Sequence, residues 1–167
     1  FFADHNNNTF YDPPPTDHAW RLELNNAAGN DVVAFAHNTN FTDIDWEYLL
    51  LVQFTGMTPH LGQMLELRVE DNTNQKEVGR IKLASVPAQS FNISLPGLKL
   101  NKEYNLDFYA DHNGNGLYDS PPTDHAWRIQ FTNTTGNNTQ PFAHNTNFTD
   151  INWKYLATLN LNSMTPH

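Results

Sequence analysis

Lys102-Glu-Tyr-Asn-Leu-Asp-Phe-Tyr-Ala110 runs without a break into Asp111-His-Asn-Gly-Asn-Gly-Leu-Tyr-Asp119. In the first stretch Tyr104, Leu106 and Phe108 alternate with Asn105, Asp107 and Tyr109. Period two with one wet face predicts an antiparallel strand. In the second, side-chain oxygens fall at alternate positions around a glycine, which predicts a tight polar loop. The same alternation recurs outward from this point. Leu50, Val52 and Phe54 alternate with Leu51, Gln53 and Thr55; Leu65, Leu67 and Val69 with Glu66, Arg68 and Glu70; Ile81 and Leu83 with Arg80 and Lys82. Phe91, Ile93 and Leu95 alternate with Asn92 and Ser94, and Pro96-Gly97 is expected to end that strand. Trp127, Ile129 and Phe131 alternate with Arg128 and Gln130. Six or seven short strands separated by turn signals, with no convincing helix, predict an all-β, immunoglobulin-like antiparallel β-sandwich.

The chain repeats itself. Residues 1–60 and 108–167 are two copies of one unit at a constant separation of 107 residues. FFADHNNNTFYDPPPTDHAWRLEL matches FYADHNGNGLYDSPPTDHAWRIQF without a gap, FAHNTNFTDIDWEYLL matches FAHNTNFTDINWKYLA, and both copies end in MTPH. Residues 61–107 occur once. Tandem repeats of about 107 residues follow, a size suited to one sandwich domain. The expected organisation is the C-terminal half of a repeat at 1–45, a complete repeat at 46–152, and the first strand of the next repeat at 153–167.

Composition narrows the function. There are 18 acidic and 9 basic residues, a formal net charge of −9, so phosphate neutralisation is poorly served and nucleic acid is a weak partner. No cysteine is present, which removes disulfide, zinc-thiolate and cysteine-nucleophile chemistry. No apolar run is long enough to span a membrane, and Phe1-Phe-Ala-Asp-His5 lacks the basic start and apolar core of a signal peptide. An aromatic content of 13% argues for a folded chain.

In the loop, Asp111, Asn113, Asn115 and Asp119 occupy positions one, three, five and nine, with Gly116 at six. That is the spacing by which alternate residues of an EF-hand loop face a hard cation, with the Leu117 carbonyl at position seven. Pro122 stands where the bidentate Glu would be, and Asp124 is the nearest replacement. The expected ion is Ca²⁺; the alternative is an Asx-rich turn that caps a hairpin. The first copy offers Asp4, Asn6, Asn8, the Phe10 carbonyl, Asp12 and Asp17, but with Thr9 in place of glycine, so a weaker site is expected there.

The stretch Lys102–Asp119 resembles a family of bacterial secreted and surface β-sandwich domains. Their signature is a strand, then D-x-N-x-N-G-x-x-D, then a proline-containing turn. The resemblance covers residues 100–131 and its echo 1–24. It implies an exported, immunoglobulin-like domain in tandem, with Asp111, Asn113, Asn115 and Asp119 as metal donors, and it carries no enzymatic activity.

Eight histidines form four repeated pairs, His5/His112, His18/His125, His37/His144 and His60/His167. With nearby acids they suggest a transition-metal site, but no HxH or HxxxH spacing occurs, which favours rings that hydrogen-bond loop backbone. Ser90, Ser94 and Ser163 stand in no nucleophile elbow, so an enzyme is not expected. Trp127 follows the inward parity of its strand. Trp153 reads either as a plug between domains or as a sugar-stacking residue. Sequons at Asn7, Asn40, Asn92, Asn133, Asn137 and Asn147 allow a glycoprotein, and Asn133 and Asn137 are expected on an exposed loop.

The leading expectation is a structural subunit of an extracellular fibre or cell-surface stalk, stabilised by calcium. Copies of the chain would join head to tail, because Tyr155, Leu159 and Leu161 find nothing in the chain to pack against. The alternative is a cell-surface carbohydrate-binding or adhesion module.

Overall fold

The computed structural model describes residues 1–23 and 33–155. Its strands are β1 (Phe2–Ala3), β2 (His18–Ala19), β3 (Tyr48–Thr55), β4 (Leu65–Asp71), β5 (Lys76–Leu83), β6 (Phe91–Leu98), β7 (Lys102–Ala110), β8 (His125–Asn133) and β9 (Asn138–Ala143). Among the described residues the only helical element is a 3₁₀ turn at Thr58–His60. A three-stranded sheet, β6-β3-β9, and a four-stranded sheet, β5-β4-β7-β8, enclose the core as a sandwich. Leu50, Val52 and Phe54 of β3 face Leu65, Leu67, Val69, Leu106 and Phe108, all essentially inaccessible. Phe108 meets Phe54 and Phe142 edge to face at 5.3 and 4.8 Å. Burying each such side chain stabilises by about 1.5–3 kcal/mol, so the inner faces fix the register.

Four expectations need correction. The sheets are not wholly antiparallel, since β9 runs parallel to β3, with Leu50 opposite Asn138 and Phe54 opposite Phe142. Secondly, β6 does not stop at Pro96-Gly97 but continues to Leu98. It is an edge strand, so the missing proline N–H breaks no ladder, and a register shift at Tyr48/Leu49 absorbs the irregularity. Gly97, at φ +116°, is needed because a Cβ there would lie 2.7 Å from the Val78 carbonyl oxygen. Thirdly, Asn133 is buried at the end of β8 and its Nδ2 donates to the Lys99 carbonyl, while Asn137 Oδ1 accepts from the Leu49 N–H. Asn133 therefore does not sit on an exposed loop.

The fourth correction concerns the outer face of β4. Glu66, Arg68 and Glu70 alternate as a wet face should, yet all three are buried. Residues 151–154 lie across them. Arg68 Nη2 donates to the Ile151 carbonyl at 2.9 Å, Arg128 Nη2 to the same carbonyl at 3.2 Å, and Arg80 Nη2 to the Lys154 carbonyl at 2.9 Å. Trp153 packs on Tyr109 and lies between the guanidinium groups of Arg68 and Arg80, 4.9 and 4.7 Å from its ring centre. It is buried, so it offers no sugar platform. Tyr155 also has a partner in the chain: its hydroxyl donates to the Tyr118 carbonyl and accepts from the Tyr118 N–H. Leu24, Leu159 and Leu161 lie outside the described residues.

The first copy reproduces the second where it is described. Phe2 pairs with Ala19 and Ala3 with His18, as Tyr109 pairs with Ala126 and Ala110 with His125. Trp46 packs edge to face on Phe2 as Trp153 does on Tyr109. Phe1, Leu22, Val33 and Phe35 are exposed there, whereas Phe108, the counterpart of Phe1, is fully buried.

Candidate functional site

The acidic loop leaves β7 at Ala110 and is shaped by two buried carboxylates. Asp111 accepts from the N–H groups of Gly114 at 2.7 Å, Asn115 at 3.2 Å and Gly116 at 2.8 Å. Asp124 is fully buried and accepts from the N–H groups of His112 and Asp119, each at 2.9 Å. Two exposed amides then converge on a half-buried carboxylate: Asn113 Nδ2 and Asn115 Nδ2 both donate to Asp119 Oδ2, at 2.8 and 2.7 Å. Asn113 Oδ1 and Asn115 Oδ1 accept from the N–H groups of Asn115 and Leu117. The loop is thus closed by Asx turns around one carboxylate. A hard cation between Asn113, Asn115 and Asp119 requires the two amides to turn their oxygens inward.

The first copy has the same wiring. Asp4 accepts from the N–H groups of Asn8 and Thr9, and Asp17 from those of His5 and Asp12. Asn6 Nδ2 and Asn8 Nδ2 both donate to Asp12 Oδ2, at 2.9 and 2.6 Å. The Phe10 N–H donates to Asn8 Oδ1 as Leu117 does to Asn115. Thr9 adopts φ +72° where Gly116 has +80°. A β-branched residue in this region is strained, by roughly 1–2 kcal/mol. Thr9→Gly is therefore expected to raise stability by about that amount, read as a higher urea midpoint. An unchanged midpoint would show that the loop relaxes around Thr9.

Each loop is tied to a segment that lies 32–37 residues further along the chain. The Tyr11 N–H donates to Tyr48 Oη at 2.7 Å, and Tyr11 Oη donates to Asp43. Tyr118 repeats both contacts with Tyr155 and Asp150. Burial, reinforced by Asp150, pushes the Tyr118 hydroxyl up to about 12. Gly136 brings its backbone against the Phe10 and Tyr48 rings, so that a Cβ there would press on their ring carbons at 3.0–3.1 Å.

A second cluster lies beside the loop, and sequence spacing gave it little weight. His60 from the 3₁₀ turn, His112 from the loop and His125 from β8 bring ring nitrogens within 4.8 Å of one another. His144 stands next to His60, ring centres 5.0 Å apart. The expectation of rings engaged by loop backbone does not describe their buried nitrogens: His60 Nε2, His125 Nδ1 and His144 Nε2 have no partner among the described residues. Burial lowers the basicity of His60, and burial with the neighbouring imidazoles lowers His125 to about 4. Both rings are neutral at neutral pH, the state that ligates metals.

Comparison with protein-family models, curated proteins and solved structures finds no match to the chain. No helix among the described residues is long and apolar enough to cross a membrane.

Proposed function

We propose that the chain is a piece of a repetitive extracellular or cell-surface stalk, built from immunoglobulin-like domains of about 107 residues and stiffened by Ca²⁺ at the junctions between them. The observation that carries this reading is the position of the first acidic loop. Its end, Phe10-Tyr11, packs on Gly136 and Tyr48, so the loop of one repeat touches the opening strand of the next. An ion held by Asp4, Asn6, Asn8, the Phe10 carbonyl and Asp12 would stiffen that contact; the second loop would do the same through Asp111, Asn113, Asn115, the Leu117 carbonyl and Asp119. Asp17 and Asp124 fix the loop backbone around each ion. The same junction suits joining to further copies of the chain. The role is structural and not enzymatic, and exposed sequons such as Asn40 and Asn147 would carry any glycan.

Extracellular calcium sites bind at roughly 10⁻⁴ to 10⁻³ M, so millimolar calcium adds about 1 kcal/mol. Thermal melting with EGTA and with calcium should show a rise of a few degrees. Hydrogen exchange should slow in residues 4–12 and in Tyr48–Leu50 together. A melting point indifferent to several millimolar calcium sinks the calcium reading. Electron micrographs of the native material should show filaments; a tethered head would favour an adhesion module.

A further inference from the structure

We infer that His60, His112 and His125, with His144 as the fourth donor, form a binding site for a late first-row divalent transition metal such as Zn²⁺, with donors distinct from the oxygen side chains of the acidic loop. The site is built from distant parts of the chain: the 3₁₀ turn after β3, the loop after β7, the start of β8 and the end of β9. All four donors are imidazoles, which suit zinc, copper and nickel and not calcium.

The local chemistry suits a metal ligand set. His60 is completely buried, and its Nδ1 lies 2.8 Å from Gln63 Oε1. With the proton on Nδ1, Nε2 presents a lone pair with no partner among the described residues. An outer hydrogen bond of this kind fixes the tautomer and orientation of a metal-bound histidine. Gln63 Nε2 also donates to His112 Nδ1 at 3.1 Å, so His112 turns that lone pair to an ion only as this hydrogen bond is released. His125 is clamped between His112 and Phe148, ring centres 4.4 and 4.0 Å away. His125 Nδ1 and His144 Nε2 are likewise buried and unpaired. Leaving a buried polar atom unsatisfied carries a desolvation penalty, which a bound ion removes.

The fit requires a small contraction. Zinc–nitrogen bonds of about 2.0–2.1 Å place tetrahedral donors about 3.3 Å apart, whereas the nitrogens of His60, His112 and His125 lie within 4.8 Å of one another and His144 lies outside that group. His112, on an exposed loop, can supply most of that movement, while His60 and His125 are held by packing. The first copy is an internal comparison. His5 stacks on His18 at 4.5 Å and His18 on Phe41 at 4.0 Å, but the position 107 residues ahead of His60, which would complete that set, falls before Phe1.

The test uses the full chain, free of any histidine tag, stripped of metal and kept in millimolar calcium. Titration with Co²⁺ should give the visible bands of tetrahedral nitrogen coordination, and competition with Zn²⁺ should remove them. Outer-sphere partners alone are worth 10–100-fold in affinity, so losing a ligand in His112→Ala should weaken Zn²⁺ binding at least about 100-fold. His112 is exposed, so that variant should keep the wild-type melting curve even if His60→Ala fails to fold. His5→Ala should bind as wild type. Wild-type binding by His112→Ala, or no cobalt bands in the parent chain, overturns the assignment. The four imidazoles are not calcium donors, so this outcome and the effect of calcium on melting are read separately.

Discussion

Asp107→Ala should destabilise the sandwich by about 3–5 kcal/mol, read as a large fall in urea midpoint. Asp107 is fully buried on the outer face of β7, between two arginines. Its Oδ2 accepts from Arg68 Nε at 3.1 Å and Arg68 Nη2 at 2.8 Å. Its Oδ1 accepts from Arg128 Nε at 2.6 Å, and Oδ2 from Arg128 Nη2 at 2.9 Å. Removing the carboxylate leaves Arg68, only 2% exposed, with Glu70 at 3.6 Å as its remaining counter-ion. An uncompensated buried charge costs far more than the pair contributes. Both arginines also donate to the Ile151 carbonyl, so the segment 150–155 should loosen with them. Hydrogen exchange in that segment should quicken at denaturant concentrations where β3 and β6 remain protected. A loss below about 1 kcal/mol would mean that water solvates the arginines once Asp107 is gone.

The network around Asp107 marks the limit of what the sequence discloses. The inner faces are legible because burial there follows strand parity: Leu50, Val52 and Phe54 stand opposite Leu106 and Phe108 as alternation predicts. The outer face of β4 is not, because Glu66, Arg68 and Glu70 look solvated until residues more than eighty positions away cover them. β9 is hidden by composition, since Asn138-Thr-Gln-Pro-Phe-Ala143 carries a proline and one large apolar residue. At a sheet edge that proline is tolerated, and parallel pairing with β3 supplies the order that propensity does not. The acidic loop is legible because its donors are neighbours in sequence. The histidine cluster has no motif, since its members lie at 60, 112, 125 and 144 and meet only through the fold. Their repetition at a constant separation was the available signal.

Trp153→Ala should cost about 3–5 kcal/mol, whereas Trp46→Ala, its counterpart in the first copy, should cost about 1 kcal/mol or less. Trp153 is 8% exposed, packed edge to face on Tyr109 and flanked by two guanidinium groups. Its removal deletes a large buried ring and two desolvated cation–π contacts. Trp46 is 39% exposed and keeps the Phe2 contact, but it has no counterpart of Arg68 or Arg80 beside it. If the chain is a run of equivalent domains, that difference belongs to the neighbours and not to the tryptophan. Joining a second copy of residues 46–107 ahead of Phe1 tests this directly, because it recreates the Asp107–Phe108 connection in front of the first copy. In that longer chain Phe1, Leu22 and Phe35 should be covered, and Trp46→Ala should then cost as much as Trp153→Ala. Urea denaturation of the four variants measures both differences. If the cost of Trp46→Ala stays near 1 kcal/mol, the two copies do not share one architecture, and the proposal of a repeating stalk fails with it.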